Sequence, residues 1–165
     1  MTDPASQPVL SEYVRGEIDS WLARYPVDQK QSAILGALRA LQHEDGYLQV
    51  EKMDAVARYL EMPAIAVYEV ASFYSMFELE PVGRHTLSVC TNLSCMLCGA
   101  DEIVEHLKSR LGIGLGESTP DGKFFLKREE ECLAACCAAP VMQVNHVYQE
   151  NLTVEQVDRI LEGLD

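Results

Sequence analysis

The chain has 165 residues, 48% of them hydrophobic, and a formal net charge of −13, enough apolar material for one domain with a proper core or for a small helical unit joined to a second compact domain. Acidic residues outnumber basic ones in both halves, 13 to 7 over residues 1–85 and 13 to 6 over residues 86–165. No basic patch for nucleic acid exists, and the acidity reads as a soluble, self-repelling surface. The N-terminal stretch MTDPASQPVLSEYV has no basic region followed by an apolar one, and no apolar run approaches the roughly 18 residues that span a bilayer; a cytosolic protein without direct membrane insertion is expected.

Residues 11–25 put Val14, Ile18, Trp21, Leu22 and Tyr25 on one helical face, with Ser11 as N-cap and Pro26 blocking continuation. A second helical pattern from Asp28 carries Ile34, Leu35, Leu38 and Leu41 and reaches Gly46, a residue suited to the left-handed conformation after a helix end. Met53, Val56, Ala57 and Leu60 form a third stripe, and Pro63 fits the first turn of a fourth segment with Ile65, Tyr68, Val70 and Phe73. Residues 1–80 thus read as a helical bundle. Around Glu80-Pro81-Val82-Gly83 the pattern changes to the alternating RHTLSV, a strand running up to Cys90. Gly99 to Leu111 is amphipathic, FFLKREE and PVMQVNHVYQ look like strands, and a last helix starts at Thr153, where Gln156 completes a capping box and Leu152 and Val157 occupy the staple positions. Residues 81–165 are therefore expected to form an α/β unit, and the whole chain an α+β protein.

Six cysteines in a chain without an export signal are not expected to form structural disulfides, so metal binding is the leading explanation. They are absent from the first 89 residues and crowd into CTNLSCMLC and ECLAACCAAP. Thiolates suit soft metal sites, and two pairs brought from the ends of different elements can clamp two irons, one pair each. Two sets of four compete. The C-x4-C-x2-C spacing of plant-type ferredoxins, with a distant fourth cysteine, is matched by Cys90, Cys95, Cys98 and Cys132. That set leaves Cys136 and Pro140 without a role and asks Cys98 to ligate from the start of the Gly99 helix. The set Cys90, Cys95, Cys132 and Cys136 uses both loops symmetrically and turns helix-start N–H groups toward an anionic cluster. A structural zinc tetrathiolate would use the same ligands at similar distances, and visible absorption separates the two metals.

KQSAILGALRALQHEDGYLQ, MPAIAVYEVASFYSMFELEPVGRH, CTNLSCMLCGAD and ECLAACCAAPVMQVNHVYQENLT resemble, in order and spacing, the characteristic segments of the E subunits of NADH:quinone oxidoreductase, complex I, the 24-kilodalton subunit family. The resemblance covers nearly the whole chain. It implies an N-terminal helical bundle for partner docking followed by a thioredoxin-like ferredoxin domain, and a single 2Fe-2S cluster on Cys90, Cys95, Cys132 and Cys136. Cys98 and Cys137 depart from the family pattern and read as spare thiols. It further implies that FMN and NADH sit on a partner subunit beside other iron-sulfur subunits, that this chain accepts single electrons from the flavin, and that it lies on the cytoplasmic side of the inner membrane through the complex. An equivalent subunit of an NAD-linked hydrogenase or formate dehydrogenase, or a free-standing ferredoxin, are the alternatives.

The remaining signals carry less. Gly112, Gly114 and Gly116 do not complete a nucleotide-binding loop, because Glu117 stands where the last glycine belongs, and they read as a flexible turn. No P-loop is present, and His43, His85, His106 and His146 are scattered without metal-ligand spacing. Phe73, Met76 and Phe77 read as core or as a partner contact, and Glu129, Glu130 and Glu131 as a solvated edge.

Overall fold

The computed structural model describes residues 10–128 and 132–165, so the glutamate run and most of the opening segment lie outside the described residues. The chain divides into two compact units, Met1–Pro81 and Val82–Asp165. The first is helical and the second mixed, which makes the protein α+β as the sequence leads one to expect.

In the first unit α1 (Glu12–Leu22) opens as the sequence indicates, with the Ser11 hydroxyl accepting from the Val14 amide. It stops three residues before Tyr25. A 3-10 turn over Lys30–Ala33 feeds α2 (Ile34–Asp45), which closes at Gly46 with φ 81°. Two more helices follow, α3 (Val50–Tyr59) and α4 (Ala64–Phe73). The core consists of Val14 and Ile18 from α1, Ala37, Leu38 and Leu41 from α2, Val56 and Leu60, and Val67 and Ala71 from α4. Two stripes differ from expectation. Leu35 faces solvent while its neighbour Ile34 is buried, and in α4 Val67 and Ala71 form the inner face while Ile65 and Phe73 are 63% and 80% exposed. Pro63 is the N-cap of α4 and not part of its first turn. Gln42 ties down the segment after α4, its amide nitrogen donating to the Met76 carbonyl at 2.8 Å and its oxygen accepting from the Glu78 N–H at 2.7 Å.

The second unit has five strands in the order β2-β3-β1-β4-β5 among its described residues. β1 (His85–Val89) is central, parallel to β3 (Phe124–Leu126) with His85 opposite Phe124, and antiparallel to β4 (Met142–Val144) with Val89 opposite Met142. β2 (Glu117–Ser118) and β5 (Val147–Gln149) are short edge strands. Between β1 and β2 the chain forms a five-residue helix, α5 (Leu93–Leu97), and then α6 (Ala100–Leu111); α7 (Val154–Glu162) closes the fold. α6 lies over β1 and β3 with α7 beside it, and Leu87, Leu107, Leu126, Met142 and Val157 are fully buried between the layers. The Thr153 and Gln156 capping box is present in both directions. The glycine-rich stretch is a defined turn: Gly112 ends α6 at φ 68°, the Gly114 N–H reaches the Glu117 carboxylate at 2.7 Å, and the Gly116 N–H bonds the Leu126 carbonyl at 2.7 Å.

Candidate metal centre

The two cysteine clusters lie in loops that leave the centre of the sheet. Cys90 follows β1 directly, and its N–H continues the strand pairing by bonding the Val141 carbonyl at 3.0 Å. Asn92 caps α5, which carries Cys95 on its buried side; Cys90 and Cys95 are each only 2% exposed. Cys132 and Cys136 come from the segment between β3 and β4, Cys136 in a 3-10 turn over Cys136–Ala138, and both are exposed. That segment is anchored from behind, where the Asn151 N–H bonds the Ala138 carbonyl at 2.8 Å and the Leu152 N–H bonds the Pro140 carbonyl at 3.0 Å.

The Cys132 and Cys136 sulfurs are 4.0 Å apart, close to the roughly 3.8 Å expected of two thiolates sharing a tetrahedral metal at about 2.3 Å. The other pair is in mutual contact. Burial alone would raise the Cys90 thiol, but the N–H groups of Leu133 and Asn92 and the thiols of Cys95 and Cys132 outweigh it and hold Cys90 below its ordinary value. Cys95 is pushed up to about 11, first by burial and then by its bond to Cys90, with Cys136 adding repulsion and the Val141 N–H opposing the rise. A metal ion bound there would displace the protons of both thiols, since the thiolate is the ligand. The four thiols therefore bear on one another across the two loops. Among the described residues no three His, Cys, Asp or Glu side chains close on a single point.

The surroundings also fit an anionic cluster. Cys90 receives the amides of Asn92 and Leu133, Cys95 that of Val141, and Cys132 that of Ala134 at 3.4 Å. Cys90 and Cys95 belong to the apolar core of the unit, with Val89, Ala138 and Val141, and the half-buried Leu133 packs against that core. Cys98 sits elsewhere in its loop. It caps the C-terminal end of α5, its N–H bonding the Ser94 and Cys95 carbonyls at 3.2 and 3.1 Å, and it precedes Gly99, where φ of 95° turns the chain into α6. It thus belongs to the end of one helix and not to the start of the next. Cys98 and Cys137 are both exposed. The histidines take up hydrogen bonds, His106 to Asp158 at 2.9 Å and His85 to Asn145 at 2.9 Å among them. Sequence reasoning expected amide donors at a helix start, where Asn92 stands, but missed those of Leu133, Ala134 and Val141, and it missed Tyr148, whose hydroxyl donates to the Leu133 carbonyl at 2.8 Å inside the ligand loop.

Residues 18–165 match the family model described as Thioredoxin-like [2Fe-2S] ferredoxin. An NADH-quinone oxidoreductase E subunit of Rhizobium meliloti, the one numbered 2, is 46% identical over 150 residues, 91% of this chain and 88% of that protein. The corresponding E subunit of Rickettsia bellii is 46% identical over 144 residues, 87% of this chain and 86% of that one. NADH-quinone oxidoreductase subunit 2 of Thermus thermophilus is 40% identical over 148 residues, 89% and 81% of the two chains. Among solved structures, an NAD+-reducing [NiFe]-hydrogenase in the air-oxidized state superposes with a TM-score of 0.66 at 22% identity over 76% of this chain; the chain spans only 22% of the hydrogenase chain, and the likeness is one of fold. The chain belongs to the thioredoxin-like 2Fe-2S ferredoxin family, in the group formed by the E subunits of NADH-quinone oxidoreductase.

Proposed function

We propose that this chain is the electron-transfer E subunit of a respiratory NADH-quinone oxidoreductase, holding one 2Fe-2S cluster on Cys90, Cys95, Cys132 and Cys136. The observation that carries the reading is the run of neighbours that joins the two loops, Cys95 to Cys90, Cys90 to Cys132 and Cys132 to Cys136 at 4.0 Å, with backbone amides aimed at three of the sulfurs. When bound, such a cluster accepts and passes on one electron at a time, going from a formal charge of −2 to −3 with four thiolates. The chain's own share is to hold the sulfurs, to keep water from the buried Cys90 and Cys95 side, and to face the added charge with N–H donors. NADH and FMN belong on a partner subunit, since no nucleotide loop occurs in this sequence. The flavin there would split an electron pair and deliver one electron to this chain. No helix among the described residues is long and apolar enough to cross a membrane, and in this reading the chain reaches the cytoplasmic face of the inner membrane through its complex. The second reading, a matching subunit of an NAD-linked hydrogenase or formate dehydrogenase, draws on the shared hydrogenase fold; identities of 40–46% favour the quinone enzyme.

The direct test is reconstitution of the pure chain with iron and sulfide. It is expected to become coloured, to bind about two irons and to take up one electron from a strong chemical reductant. It should not oxidise NADH. A colourless protein that holds zinc in preference to iron, or measurable NADH turnover by the pure chain, would sink the reading.

The helical unit is proposed as the docking element toward the flavin-bearing subunit. Its α4 leaves Ile65 and Phe73 in solvent, and Ile65 lines a mainly apolar groove of about 340 Å³ with Val50, Met53, Tyr68 and Leu79, where Glu69 and Ser72 are the polar members. Because Ile65 and Phe73 make little core, Ile65→Glu with Phe73→Glu should leave fold and iron content intact while weakening assembly at least about tenfold. Co-purification of the double variant with its partner at wild-type yield and affinity would remove the docking role.

A further inference from the structure

We propose that Tyr148 tunes the reduction potential of the centre through a single peptide group, without touching a sulfur itself. The proposal rests on the ligand set given above. Tyr148 lies on edge strand β5, and its hydroxyl donates to the Leu133 carbonyl at 2.8 Å. That carbonyl belongs to the same peptide unit as the Ala134 N–H, which points at the Cys132 sulfur at 3.4 Å. In a trans peptide the C=O and N–H lie at opposite ends of one delocalised dipole. A donor on the oxygen withdraws electron density from the nitrogen and makes its hydrogen a better partner for the sulfur, which is the cooperativity of chained hydrogen bonds. The relay therefore runs from the phenol through one amide to a ligand sulfur, and it favours the more negative, reduced state.

Two further observations separate this arrangement from an incidental surface contact. Ala134 adopts φ 56°, a left-handed conformation that costs a non-glycine residue on the order of 1 kcal/mol or more and persists only where surrounding bonds hold it. The preceding peptide unit is held as well, because the Leu133 N–H serves Cys90. Tyr148 thus fixes the one stretch of backbone whose two successive amides serve sulfurs from both cysteine loops. Nothing else on β5 is placed to replace it: Val147 is apolar and exposed, and Gln149 pairs opposite Met142.

The test uses the full chain reconstituted with iron and sulfide, in three forms: wild type, Tyr148→Phe, and the protein carrying 3-fluorotyrosine at position 148. Iron content, visible absorption and a redox titration followed by spin resonance are measured on each. Tyr148→Phe keeps the ring and removes only the donor. It should retain its iron and shift the one-electron reduction equilibrium about fivefold toward the oxidised form, roughly 40 mV more negative at 59 mV per tenfold change. The fluorinated phenol is a stronger donor and should move the potential in the opposite direction. Cys132→Ser, run alongside, reports on the ligand set. If wild type holds a cluster and Cys132→Ser does not, yet both Tyr148 forms titrate at the wild-type potential, the relay is wrong and the centre stands. If Cys132→Ser keeps an unchanged cluster, the ligand set fails and the relay with it. Should Tyr148→Phe lose its iron, the fluorotyrosine form decides: an unmoved potential overturns the relay, and a raised one supports it.

Discussion

Cys136→Ser is expected to strip most of the iron from the reconstituted protein, or to leave a centre with a visibly altered spin-resonance signal, while Cys98→Ser leaves both unchanged. A serine hydroxyl is a hard, weakly acidic donor where a soft thiolate is required, and one iron would lose half of its protein ligands. The proposed ligand set predicts which cysteine matters. Cys136 stands 4.0 Å from Cys132 and its charge is felt at Cys95, whereas Cys98 closes the far end of α5 with its side chain exposed. Cys137 complicates the outcome, because it adjoins Cys136 and is exposed as well. Cys137→Ser alone should be nearly silent, and the Cys136/Cys137 double substitution should be at least as damaging as Cys136→Ser. Iron content, visible absorbance and the spin-resonance spectrum of the reduced protein check all four variants. A Cys98→Ser protein that cannot hold iron, beside a double variant with the wild-type spectrum, would restore the plant-type set of Cys90, Cys95, Cys98 and Cys132.

Much of the fold was legible because its boundaries are written in cap residues. Ser11, Gly46 and the Thr153/Gln156 pair each do at a helix end what their chemistry implies. The misread positions share one cause. Leu35, Ile65 and Phe73 satisfy a helical apolar pattern yet lie in solvent, because periodicity marks an apolar face without saying what covers it. Strands were harder. FFLKREE and PVMQVNHVYQ mark β3, β4 and β5 as strands but overrun their three residues each, and β2, with two residues, is too short for alternation to register. The hairpin between β4 and β5 did have a signal: Asn145 and His146 take φ of 50° and 68°, and Asn is a residue that tolerates such a turn.

At the proposed centre, the cysteine pairs stand out in the sequence and their support does not. Paired spacing in two short segments pointed to a centre, but helix α5, which carries Cys95, has only five residues and left Asn92 as its one clue. The amides that serve the sulfurs leave no mark in residue type, since any non-proline residue has an N–H. Ala134 makes the point from the opposite direction. Its left-handed φ is what residue preference argues against, and it becomes intelligible only once the bonds on either side of it are known.

Gly83→Ala is expected to destabilise the second unit by about 3 kcal/mol, a drop of roughly 12–24 °C in its melting temperature. Gly83 is buried just before β1, and a Cβ there would lie 2.4 Å from the Phe124 carbonyl carbon, 2.5 Å from its oxygen and 2.8 Å from the Phe125 nitrogen. All three are backbone atoms of the neighbouring strand, so no side chain can swing aside. Relief requires the backbone at Gly83 to move away from β3, and that strains the bonds at the entry to the β1–β3 pairing: Gly83 N–H to the Ser118 hydroxyl of β2 at 3.0 Å, Arg84 N–H to the Gly122 carbonyl at 2.9 Å and His85 N–H to the Lys123 carbonyl at 2.8 Å. β1 runs into Cys90 and β3 leads toward Cys132, so the variant should also lose iron faster than wild type when challenged with a chelator. Two other glycines set the scale. Gly16, exposed within α1 with no atom within 4 Å of a built Cβ, should gain up to about 1 kcal/mol on becoming alanine, through helix propensity and a less flexible unfolded chain. Gly36, where a Cβ would fall 2.3 Å from the Trp21 ring, should lose stability in the helical unit and leave iron retention unchanged. Denaturant unfolding of the three variants, followed separately by visible absorption and by far-ultraviolet circular dichroism, measures the set. A Gly83→Ala protein with wild-type stability would mean that β1 and β3 do not pair in the register described.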